Sequence, residues 1–203
     1  LPLIIATTGL THENLEMIHE ASCHIPVLTA ANMSMGVNLM QELVKHSTEV
    51  LANCFDIEII EKHHNQKVDS PSGTAYALAD SVNNALQKPK EYIYGRHSTN
   101  EKRESNEIGI QSVRGGTIAG IHSVIYAGRD ELLEITHTAL SRQIFAFGAI
   151  YAANFLIDKA PGLYDMKDAL QIEGSLANIK TSNDDSMITI NQLPNEPTMI
   201  AEI

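Results

Sequence analysis

Short unbroken apolar runs alternate with longer stretches of helical period through the N-terminal half of the chain. "LPLIIA" is a brief continuous run with β-branched members, the pattern of a strand covered on both faces. In "TTGLTHENLEMIHEA", Leu15, Ile18 and Ala21 fall at helical spacing. Thr11 stands where an N-cap belongs, and Asn14 occupies the place where a capping box takes Glu or Gln. "IPVLTAANMS" is a second buried run that ends in small and polar residues. Strand, helix and strand at this length make a βαβ unit of a parallel sheet. Ser34 then caps a helix predicted over about 35–51, with Val37, Met40, Val44 and Leu51 as its apolar stripe. "FDIEIIE" follows as a strand. A helix over about 74–86 carries Tyr76, Leu78, Ala79, Val82 and Leu86, and "KPKEY" ends it.

Beyond this point the pattern turns to strands. Residues 95–107, "GRHSTNEKRESNE", read as a polar, charged loop. "IGIQSVRGG", "GIHSVIYAG" and "DELLEITHTA" alternate and are rich in β-branched residues, with a turn at Gly128 to Asp130. Ser141 is placed to cap a helix running to about Asp158, with Ile144, Phe147, Tyr151 and Phe155 on one face and "KAPG" as its stop. From 171 the character changes: "SLANIKTSNDDS" reads as a linker and "MITINQL" as a strand. The chain opens at Leu1 already in a strand pattern and closes at "TMIAEI" inside an element, so both ends read as cut.

Composition narrows the function classes. Of 203 residues, 43% are hydrophobic and 19% charged, ordinary for a globular protein with a packed core. A net charge of −11 argues against nucleic acid or an anionic membrane surface as the main partner. Cys23 and Cys54 match no zinc spacing and are expected to be two buried thiols in a reducing compartment. With neither a signal peptide nor an apolar run long enough to span a bilayer in the pattern, the expected location is the cytoplasm.

The chemistry concentrates in "EKHHNQKVDSPSGTA", residues 61–75. Ser72 or Thr74 stands at the start of a helix, where the first amides have no partner within the helix. Gly73 lets a ligand approach the backbone. Such an end attracts carboxylate or phosphate through free donors and the helix dipole; the bland alternative is a simple cap. His63 and His64 are adjacent, so on an extended strand their side chains point to opposite faces. Histidine carries protons near neutral pH, and Lys67 adds a proton donor or a charge for an acid; the alternative is a pair of surface or core histidines. The spacing is not His-Glu-x-x-His, and no metal site is expected. Proton carriers beside an anion-binding helix end, at the carboxyl end of a buried strand, describe a substrate site for a small anion.

"EIIEKHHNQKVDSPSGTA", Glu58 to Ala75, resembles the signature of the dihydrodipicolinate reductase family, also called 4-hydroxy-tetrahydrodipicolinate reductases. "ATTGLT", "AANMSMGVN", "SVRGGTIAGIH" and "LEITHTALSRQIFAFGAI" resemble family segments in family order, from Leu1 to about Leu170. The resemblance implies reduction of 4-hydroxy-tetrahydrodipicolinate to tetrahydrodipicolinate with NADH or NADPH, in lysine biosynthesis via diaminopimelate. It implies His63 as catalytic proton donor and acceptor and Lys67 as proton donor, with His64, Gly73 and Thr74 binding substrate. Ala6, Thr7 and Thr8, and Ala30, Ala31, Asn32 and Met33, are implied to touch the cofactor at strand ends. Arg114 and Arg142 are read as solvated or ion-paired, and His137 is left without a role.

The implied fold is α/β. A remnant of a Rossmann-type parallel nucleotide-binding sheet occupies 1–34 and is rejoined by a helix region at 141–170. An α+β substrate and oligomerisation domain with a mixed, mostly antiparallel sheet occupies 35–140. An extension from 171 to 203 faintly resembles the start of an ACT-like unit. The family's glycine-rich dinucleotide fingerprint would lie ahead of Leu1, and Ala6 stands where the family usually has Gly. A homotetramer is implied. The rival readings are a truncated, non-catalytic fragment that binds dicarboxylates and an unrelated dehydrogenase.

Overall fold

The structure, a computed structural model, describes residues 1–98 and 100–172. Two sheets organise it. The first is parallel throughout, in the order β1 (Leu3–Ile5), β2 (Pro26–Thr29), β8 (Gly162–Tyr164). The second has five strands, β4 (Glu91–Tyr94), β5 (Glu107–Arg114), β3 (Asp56–His63), β6 (Gly120–Ala127) and β7 (Leu132–Ala139), in that spatial order.

Helix α1 (His12–Ser22) links β1 to β2 as the βαβ reading requires. Its capping box closes with Asn14: the Asn14 amide N–H donates to Thr11 Oγ1, and the Asn14 side-chain oxygen accepts the Thr11 amide. Helix α2 (Met35–Leu51) starts at its Ser34 cap and lays Val37, Met40, Val44 and Thr48 on the core. Helix α3 (Gly73–Asn84) buries Ala75, Leu78, Ala79 and Val82. Together α2 and α3 cover one face of the second sheet, against Ile57, Ile59, Ile108, Ile110, Val124 and Tyr126.

The second sheet is mixed, as expected: β4–β5 and β5–β3 are parallel, β3–β6 and β6–β7 antiparallel. Several other expectations are corrected. Strands β4 and β8 and helix α5 (Met166–Leu170) are too short to show a period and have no counterpart in the sequence reading. Helix α4 (Gln143–Leu156) turns a different face inward from the one its aromatic spacing suggests. Gly148, Ala152 and Leu156 are buried, while Phe147 and Tyr151 are exposed. The reason is close approach: a Cβ on Gly148 would lie 1.7 Å from the Met33 carbonyl oxygen, so only the small-residue face fits there. Ser141 accepts the Gln143 amide but sits one residue ahead of the observed cap, Arg142. Both cysteines are exposed, not buried, because Cys23 caps the end of α1 and Cys54 follows the end of α2, outside either core. Past residue 172 the expected extension lies outside the described residues.

Candidate functional site

Strand β3 sets the site by its two-residue period. Its residues alternate between the helix-covered face and the open one, and the covered series runs Ile57, Ile59, Glu61, His63. The apolar face thus becomes ionic at the strand's carboxyl end. Glu61 is fully buried, and its carboxylate collects four donors. Arg114 Nη1 and Nη2 lie 2.8 and 2.6 Å from Oε2 and Oε1, His63 Nδ1 lies 2.5 Å from Oε2, and the Ser72 amide reaches Oε1 at 3.2 Å. Burial alone would raise this carboxyl group's pKa. Bonds from Arg114, Ser112 and His63 outweigh it and hold the group at about 2. An ionised Glu61 fixes the His63 proton on Nδ1 and leaves Nε2 for the cavity. Nε2 stays uncovered because residue 120 is glycine: a Cβ there would lie 3.2 Å from it.

Ser72 caps α3, accepting the Ala75 amide at 3.2 Å, and its hydroxyl lies 3.0 Å from His122 Nε2. The His122 ring stands edge-on to His63, with centroids 5.0 Å apart. Burial first, then the neighbouring His63, push its pKa down to about 4, so His122 is neutral at physiological pH. His137 lies opposite it on β7 and is also shifted down by burial. Lys67 Nζ pairs with Asp69 Oδ1 at 2.8 Å, and that bond holds the Asp69 carboxyl below the usual range.

Of these groups, His63, Ser72 and Lys67 line a cavity of about 640 Å³ between the ends of the two sheets. All five residues read as catalytic or substrate-binding line it: His63, His64, Lys67, Gly73 and Thr74. The two histidines reach the same cavity, not opposite faces, because β3 ends at His63 and the chain turns, with the Lys67 amide donating to the His64 carbonyl. Of the strand-end residues, Thr8, Ala30, Ala31 and Asn32 line it. Ala6 and Thr7 do not; they are exposed in the loop after β1. Met33 is buried in the core formed with α4 and α5. Arg114 is ion-paired, as read. Arg142, read as solvated or ion-paired, instead lines the cavity 3.4 Å from His64 Nε2.

Glu61, His122 and Asn38 were missed. For Glu61 the signal was present: an acid and a histidine continue an Ile-x-Ile face at spacing two, which places them inside. His122 carries the same signal on β6, continuing the buried face of Val124 and Tyr126 at spacing two, whereas Asn38 carries none, because helix α2 reads correctly without it.

The fold and cavity define an α/β protein with a cavity at its strand ends, lined by proton-carrying groups and by the N-terminus of α3. A profile described as dihydrodipicolinate reductase, C-terminus, matches residues 36–170. Among curated relatives, the 4-hydroxy-tetrahydrodipicolinate reductase of Caldanaerobacter subterraneus subsp. tengcongensis is 53% identical over 171 residues, covering 84% of this chain and 68% of the relative. That of Clostridium tetani is 53% identical over 166 residues, covering 82% and 65%. A solved structure, dipicolinate-bound dihydrodipicolinate reductase from Paenisporosarcina sp. TG-14, superposes with a TM-score of 0.67 at 27% identity, covering 81% of this chain and 63% of that one. The chain therefore belongs to the dihydrodipicolinate reductase family, and it spans about two thirds of the length of these relatives.

Proposed function

We propose that the chain supplies the dicarboxylate-binding and proton-handling part of a 4-hydroxy-tetrahydrodipicolinate reductase that uses NADH or NADPH in lysine biosynthesis through diaminopimelate. The observation that carries this reading is the convergence of His63, His64, Lys67 and the N-terminus of α3 on one cavity. The dicarboxylate named for the solved relative gives the substrate class.

One carboxylate is taken by the first turn of α3, through the Thr74 amide and hydroxyl, with Gly73 leaving the approach open. Arg142 supplies the positive charge for the second carboxylate, with His64 beside it. His63 transfers the proton through Nε2, because Glu61 occupies Nδ1. Lys67 releases Asp69 to act as the second proton donor. The nicotinamide cofactor, when bound, supplies hydride. The wall made by Thr8, Ala30, Ala31 and Asn32 fits such a group: two alanines leave space for a flat ring, and Thr8 carries a hydroxyl for a carboxamide. The oligomer is a homotetramer formed through the open face of the second sheet, where Val113 and Leu132 are exposed.

Titration with pyridine-2,6-dicarboxylate, with and without NADH or NADPH, combined with a hydride-transfer assay on the imine substrate, tests the reading. Cofactor-dependent binding and turnover support it. Binding that ignores cofactor, without turnover, makes the chain a non-catalytic dicarboxylate binder. No binding at all sinks both.

A further inference from the structure

The Asn32 side chain joins the two walls of the cavity. It lies just beyond β2, and its Nδ2 donates to Thr74 Oγ1 in the first turn of α3 at 3.2 Å. Its direction is fixed by one bond to the side chain and its backbone is held by Asn38. Asn32 Oδ1 accepts the Ser34 amide at 2.9 Å, so the side-chain nitrogen is the end that faces Thr74. The Asn32 carbonyl accepts from Asn38 Nδ2 at 2.8 Å, and the same Nδ2 bonds the Ser34 carbonyl at 2.8 Å. Asn38 is itself buried, which fixes the back of the clamp, while Asn32 and Thr74 line the cavity.

The consequence falls on Thr74. A hydroxyl has one hydrogen, and here its oxygen is occupied as an acceptor. In the body of a helix that hydrogen commonly returns to a carbonyl one turn earlier. Thr74 is the second residue of α3, where no helical turn precedes it. The hydrogen is left to the cavity, beside the Thr74 amide, which has no acceptor among the described residues.

We propose that Asn32 is a positioning residue that commits the Thr74 hydroxyl to donate toward a bound carboxylate. Asn32 acts on that ligand through Thr74. The proposal rests on the dicarboxylate reading of the cavity. It goes beyond a cofactor role for the Ala30–Met33 segment, since it gives the Asn32 side chain a task on the substrate wall.

A double-mutant cycle read by calorimetry with pyridine-2,6-dicarboxylate tests it. Thr74→Val removes the donor and is expected to weaken binding about 10-fold, the usual scale of a hydrogen bond to a charged group. Asn32→Asp keeps the acceptor for Ser34 and replaces the donor with an acceptor, so the Thr74 hydrogen turns back to it. Asn32→Ala is the uncharged second variant. Each Asn32 change is expected to weaken binding at least about threefold more in the Thr74 background than in the Thr74→Val background. Thr74→Ser, which keeps the hydroxyl, restores that dependence.

Equal effects of the Asn32 changes in both backgrounds overturn the proposal while leaving the carboxylate site intact. Wild-type chain that fails to bind the dicarboxylate removes the underlying reading and the proposal with it. Circular dichroism at the working temperature identifies any variant that has unfolded, and the cycle is then read from the other Asn32 substitution.

Discussion

Replacing Arg114 with Met tests how Glu61 is held. The substitution keeps the aliphatic stem and removes both guanidinium bonds, leaving the carboxylate with Ser112, His63 and the Ser72 amide. Glu61 is fully buried. Its pKa falls from the ordinary 4.5 to about 2 in the folded protein. At about 1.4 kcal/mol per pH unit, that gap is worth about 3 kcal/mol. The sign follows from the depressed value. The stabilisation is fully present above about pH 4.5 and is lost as pH falls through about 2. In Arg114→Met the burial cost prevails, so the carboxyl pKa rises above its unfolded value. The variant should therefore lose about 3–5 kcal/mol near pH 7, the cost of leaving one charge of a buried pair uncompensated. This deficit should shrink as pH falls and the carboxylate takes a proton. Urea unfolding followed by far-ultraviolet circular dichroism from pH 8 to pH 4.5 measures it. A deficit under about 1 kcal/mol at pH 7, or one that stays level across the range, would show that Arg114 is not what keeps Glu61 ionised.

Three further outcomes are expected. In a preparation that turns over, His63→Gln and Lys67→Ala should each cut kcat by about 10²–10⁴-fold, as for loss of a general acid or base; rates within a few-fold of wild type would remove their assigned roles. His122, held neutral with a pKa near 4 against an ordinary 6.5, contributes stability that is complete above about pH 6.5 and is lost as pH falls toward 4. His122→Gln should flatten the stability profile between pH 7.5 and 5 by about 2 kcal/mol, and an unchanged slope would count against a buried neutral imidazole. Gly148→Ala should destabilise by about 1–3 kcal/mol, because the new methyl meets the Met33 carbonyl; a thermal melt that does not move would mean that α4 can slide away.

What the sequence disclosed depended on period and caps. The α2 cap at Ser34, the closure of Thr11 with Asn14, and the β3–turn–α3 sequence around His63 are local features, written within a few residues of where they act. Parallel pairing of β5 with β3 was not legible, since strand direction within a sheet depends on long-range contacts. The outward turn of Phe147 and Tyr151 was hidden for a similar reason: helical spacing identifies candidate stripes, but Gly148 chooses between them only when Met33 is in place. At the site, residue types with obvious chemistry were found. Glu61 and Asn38 act by holding other groups, a task that Glu and Asn perform anywhere on a surface and that only burial exposes.

The alternation along β3 makes that strand a ruler for the chemistry. Since Glu61 and His63 share a face with Ile57 and Ile59, inserting or deleting one codon upstream in the strand would swing acid and imidazole out of the protein and bring Ile60 and Lys62 in. Evolution of this gene is accordingly bound here by the count of residues as well as by the identity of the acid and the imidazole.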